Sequence, residues 1–133
     1  MDPANGTGKT ASEFLHNLET QHKTFQTSYD TITKELANLE QQEIDADDSI
    51  ALLEDDIHLI FEEEVPNILE YKAIKADLLL TLDGLKEIEQ AIAAKKALIE
   101  QVSEGLRKTE TGIKAMKKHL DRTGTVLPLR KDT

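Results

Sequence analysis

Gly6-Thr7-Gly8-Lys9-Thr10 has residue types that bind phosphate. It reproduces the last five residues of a P-loop, in which backbone N–H groups and a lysine cradle a polyphosphate. The full motif also needs a glycine where this chain has Pro3, and a strand ahead of the loop that the two residues before Pro3 cannot form. Nucleotide binding is therefore not expected, and residues 1–11 read as a disordered leader. A second set of oxygens, on Asp45, Asp47, Ser49 and Asp56, has the 1, 3, 5, 12 spacing of a calcium loop. Such a loop turns on a glycine at its sixth position and closes on a bidentate glutamate. Here those positions are Ile50 and the shorter Asp56, so the segment reads as a solvated acidic turn.

His16, His22, His58 and His119 include no pair at metal-ligand spacing on one helical face. There is no cysteine, which excludes disulfides and thiolate metal sites. No Ser-His-Asp or Cys-His set can be assembled, and the many carboxylates have no predicted cleft to shift their pKa. The basic cluster Arg107, Lys108, Lys114, Lys117, Lys118 and Arg122 lacks interleaved aromatics and belongs to an acidic chain. It reads as a helix end complementing its own dipole rather than as a nucleic-acid surface. The expectation is a chain that is not an enzyme, with no catalytic residues, cofactor, metal or small-molecule substrate.

The chain is strongly acidic, with a net charge of −10 over 133 residues. Residues 35–70 hold thirteen acids and no base, whereas residues 101–133 hold eight bases and four acids. Such polarity can orient helices or steer a partner. The longest apolar run, Leu78-Leu79-Leu80, is far too short to span a bilayer, and no basic-then-apolar signal opens the chain. The localisation expected by default is therefore intracellular and cytoplasmic, without membrane insertion.

What must position any functional side chain here is helix. Aromatics are only 4% of the chain and tryptophan is absent, so large rings cannot build a globular core. Leu, Ile and Ala dominate instead, and they recur every seven residues. One column, called a, reads Leu15, His22, Tyr29, Leu36, Glu43, Ile50, Ile57, Glu64, Tyr71, Leu78, Leu85, Ile92, Ile99, Leu106, Ile113, Leu120. The column three residues on, called d, reads Leu18, Phe25, Ile32, Leu39, Ala46, Leu53, Ile60, Asn67, Ile74, Thr81, Ile88, Lys95, Val102, Thr109, Met116. An ideal helix of 3.6 residues per turn drifts off a strict seven-residue repeat, so holding phase this long predicts left-handed supercoiling. The apolar members of both columns form the predicted seam for partner helices.

Two interruptions are predicted. Glu43-Ile44-Asp45-Ala46-Asp47-Asp48-Ser49 gathers short acidic residues that favour turns. At Glu64-Val65-Pro66-Asn67 the proline lacks a donor and crowds the preceding turn, while Glu64 and Asn67 are polar at seam positions. Asp83-Gly84 is a weaker third candidate. Helices are expected near 12–43, 47–64 and 66–121, the first capped by Ser12. Between 50 and 82, Leu52, Leu59, Phe61, Val65, Ile68, Leu69, Leu79, Leu80 and Leu82 widen the stripe, as for a helix touching more than one neighbour. Gly84, Gly105 and Gly112 share one column, g, with Ala91, as if another backbone or a large side chain approached closely there.

The fold class expected is all-α: long coiled-coil helices with breaks near 44–49 and 65–67, a central part in a helical bundle, extended overall. Residues 12–121 form the coiled-coil and bundle region. Residues 122–133 form an extended tail in which Val126, Leu127 and Leu129 could dock on a partner, after the helix stops at Gly124. The function expected is a structural subunit pairing with other helical chains, of its own or another kind. The alternative is an acidic inhibitor whose −13 block mimics a polyanion. The register has a direct check. Ile92→Asp or Ile99→Asp should unfold or dissociate the last helix, because an unpaired charge on an apolar seam is costly, while Glu89→Ala should be nearly silent. Equal effects of all three on circular dichroism melts would show that the columns are misassigned.

Overall fold

The computed structural model describes residues 3–123, with side chains from 10 to 122. Two helices account for them: α1, Pro3–Glu62, and α2, Ile68–Thr123. They belong to two compact units. The first holds Met1–Thr31 and Ile99–Thr133, and the second holds Ile32–Leu98. In each unit a stretch of α1 packs on a stretch of α2.

The second unit contains the reversal. Pro66 cannot donate to a helical ladder and pushes Val65 out of the α region, so α1 cannot run through it. The last turn of α1 tightens, with the Glu63 amide donating to the Ile60 carbonyl at 3.3 Å. Asn67 then starts α2 as its N-cap. Its Oδ1 accepts from the Glu70 amide at 3.1 Å, and its carbonyl accepts from the Tyr71 amide at 3.0 Å. Glu70 adds negative charge where the helix dipole is positive. The reversal is clasped by Phe61 and Tyr71, whose rings meet edge to face with centroids 4.9 Å apart, and Lys75 lies 5.7 Å over the Tyr71 ring.

The expected break at 44–49 is absent, because α1 passes through it unbroken. Short acidic residues lower helix propensity by less than about 1 kcal/mol each. Against that, Glu43, Ala46 and Ile50 stay half-buried in one phase, while Asp45, Asp47, Asp48 and Ser49 lie exposed. Asp45 also accepts from Gln41 Nε2 one turn back, at 3.0 Å. Asp83-Gly84 is likewise helical. The helix expected from Ser12 begins at Pro3, since an existing helix gains one hydrogen bond for each further residue it fixes, and this carries poor formers such as Gly6 and Gly8. Three expected helices are thus two. The proposed tail residues Val126, Leu127 and Leu129 lie outside the described residues.

Every a and d position from Leu15 to Leu120 is buried or half-buried except Glu64 and Asn67, the two that fall at the reversal. The cap gives a specific expectation. Asn67→Ala should lower stability by about 1 kcal/mol, and Asn67→Asp should leave it nearly unchanged, in urea titrations followed by circular dichroism.

Candidate functional site

In the first unit the two helix stretches run antiparallel, as three facing pairs show. Leu18 meets Gly112, His22 meets Thr109, and Phe25 meets Gly105. A Cβ built on Gly105 would lie 2.7 Å from the Phe25 ring, and one on Gly112 would lie 3.2 Å from a Leu18 methyl. These two g glycines therefore make room for large d side chains of α1. Thr109 is only 5% exposed, and its hydroxyl donates back to the Gly105 carbonyl at 2.8 Å. Its oxygen also shares a hydrogen bond with His22 Nδ1, at 2.8 Å. The polar residues at these a and d positions thus satisfy each other.

The predicted seam residues of the first unit, Leu15, Leu18, Phe25, Tyr29, Ile99, Val102, Leu106, Ile113, Met116 and Leu120, are all half-buried. In the second unit Ile60 and Ile92 are the most enclosed apolar side chains, 4% and 7% exposed. The other predicted seam residues there are half-buried. Lys95, at a d position, reaches Glu35 Oε1 on α1 at 3.1 Å, so its methylene stem covers the seam while its charge is paired at the edge.

The polar candidates do not converge. The Gly6–Thr10 segment lies within α1 rather than in a loop, and so do Asp45, Asp47, Ser49 and Asp56. Among the described residues no group of three or more His, Cys, Asp or Glu is placed to hold a metal ion. Of the basic cluster, Arg107 donates to Glu104 through Nε at 3.1 Å and also through its terminal nitrogen, and Lys114 meets Glu110 at 3.1 Å. The hydrogen bond from Arg107 holds the Glu104 carboxyl below its ordinary range. A recess beside this cluster, lined by Glu19, His22, Glu110, Ile113, Lys114 and Lys117, therefore mixes both charge signs. No helix among the described residues is long and apolar enough to cross a membrane.

The second unit also leaves apolar side chains in water. Ten of the twelve large hydrophobic side chains exposed among the described residues fall between 44 and 82. Val65 is 83% exposed, Leu69 81%, Leu80 69% and Leu52 65%. Of the exposed set, Leu52, Leu80 and Phe61 border two grooves between α1 and α2. One is lined by Ser49, Leu52, Leu53, Asp77, Leu80 and Thr81, the other by Glu54, Ile57, His58, Phe61 and Leu78. No protein-family profile, curated protein or solved structure matches the chain. The candidate site therefore rests on its own geometry: a half-buried seam in each unit, and a broad uncovered apolar surface on the second.

The glycines supply a test of the packing. A Cβ at Gly84 would meet nothing within 4 Å. Gly84→Ala should therefore gain up to about 1 kcal/mol of helix propensity in thermal melts. Gly105→Ala should forfeit that gain against the Phe25 ring, and Phe25→Leu in the same chain should restore it. Equal stabilisation by both single alanines would contradict the Phe25–Gly105 contact.

Proposed function

We propose that the chain is a non-catalytic assembly subunit whose second unit pairs with helices of other chains, in coiled-coil or bundle fashion. The observation that carries this reading is the set of exposed large side chains between 44 and 82. A helix that packs on one neighbour needs one narrow apolar stripe, and a wider stripe serves a second neighbour. Exposed apolar side chains gathered in one region mark interaction sites on otherwise polar proteins. The seven-residue repeat supports helices as the partner class, because a helical hairpin offers grooves that another helix can enter.

The second reading, an acidic inhibitor imitating a polyanion, draws on the thirteen acids of residues 35–70. It gives no role to the exposed leucines, since a polyanion mimic works by charge alone. Salt separates the two. Pairing through apolar surface persists at roughly 1 M NaCl, where the screening length falls to about 3 Å, whereas charge-only binding is lost.

The test is photo-crosslinking of the full chain in cells of its source. A crosslinker at position 80 should capture a predominantly helical protein, and one at position 118 should not. Capture at both positions alike, or of nucleic acid at either, would overturn the proposal.

A further inference from the structure

The two flanks of the second unit differ in charge. The groove at Leu52 and Leu80 is bordered by columns c and g, and the groove at Phe61 by columns b and e. Over residues 45–62 of α1 and 68–87 of α2, columns c and g hold five acids, Asp45, Asp56, Glu70, Asp77 and Glu87, and no base. Over the same residues, columns b and e hold Lys72, Lys75 and Lys86 against Asp47 and Glu54. The formal charges are −5 and +1, with His58 taken as neutral. Leu52 and Leu59, one heptad apart, and Leu80 across the groove stand exposed on the acidic flank.

The same flank has a notch. The Lys95–Glu35 pair joins the two antiparallel stretches at one point, and counting along both helices from it brings Ala46 level with Gly84. A Cβ built on Gly84 would meet nothing within 4 Å, so there is open space beside it. Gly105 and Gly112, by contrast, are each filled by a large side chain of their own unit. The notch lies about one helical turn from Ser49 and Thr81 in the groove.

We infer that the Leu52–Leu59–Leu80 flank receives an amphipathic helix of another chain, whose apolar stripe is bordered by lysine or arginine. This rests on the helix-pairing reading above and assigns both the flank and the chemistry of the partner. The leucines receive the stripe, the Gly84–Ala46 notch admits one large side chain, and the carboxylates meet the cationic border. A second copy placed flank to flank would bring five acids against five, which disfavours self-pairing there. The lysine-bearing flank has no comparable preference for a cationic helix.

The experiment titrates the full chain with a synthetic helix of roughly three heptads, leucine at a and d and lysine at e and g, followed by fluorescence anisotropy. The same helix with glutamate at e and g is the control. Leu52 and Leu80 are largely exposed, so Leu52→Ser and Leu80→Ser should leave the circular dichroism spectrum intact. Each should weaken the lysine helix by about tenfold, as loss of a central anchor does. Gly84→Leu, which closes the notch, should also weaken it, while Leu79→Ser and Leu82→Ser on the other flank should not. Equal binding of the glutamate helix, or sensitivity only to Leu79→Ser and Leu82→Ser, would overturn this assignment and leave helix pairing standing. A dimer in light scattering that Leu80→Ser dissolves would replace the basic helix by a second copy. Failure of either helix to bind, with the chain monomeric and position 80 capturing no helical protein, would overturn the pairing reading as well.

Discussion

A helix that packs on one neighbour can hide only the stripe facing it, and most of this protein's properties come from that geometric limit. In each unit two helix stretches supply columns a and d to each other, and little else leaves solvent. Only Ile60, Ile92 and Thr109 fall below a tenth exposed among the described residues. Stability of this kind is a sum of many half-buried contacts along a seam, with no centre whose loss alone removes the rest. Any apolar residue off the seam must then be either solvent-exposed or covered by something else. In the second unit eleven large side chains are in that position.

The non-apolar seam positions show how a narrow interface accommodates exceptions. Thr109 and His22 exchange a hydrogen bond, and Thr109 also bonds its own backbone. Lys95 covers the seam with its stem and carries its charge out to Glu35. Thr81 donates to the Asp77 carbonyl one turn earlier, at 2.8 Å. Each of these polar groups reaches a partner within the protein, which is what burial of polar atoms demands. Glycine plays the complementary part at 105 and 112, where a side chain would collide with Phe25 or Leu18.

Much of this was legible in the sequence, for identifiable reasons. The repeat marks the least exposed positions because side-chain direction on a helix depends only on spacing. Pro66 announces a break because its chemistry forbids a continuous ladder. The acidic stretch at 43–49 misleads because the seam runs through it at Glu43, Ala46 and Ile50, and tenths of a kilocalorie per residue of propensity yield to packing. Asn67, polar at a seam position, reads as support for the break at Pro66, and the reversal adds that it caps α2. The partners of Gly105 and Gly112 could not be read, because they depend on an antiparallel register that repeats alone do not encode. The widened stripe at 50–82 was visible, but its division into an acidic and a lysine-bearing flank needs to know which columns of the two helices share a groove.

The short connection between Glu62 and Ile68 has a further consequence. Five residues hold the two helix stretches of the second unit at an effective concentration of about millimolar or above, so their seam closes at any dilution. That tether also carries Val65 at the surface, in a segment where the backbone has left the helix and a protease can seat it. A single cut there would leave every seam contact in place but turn their formation into a second-order process. The nicked halves would stay together only while concentrated, and the grooves built from both helices would last no longer than that encounter.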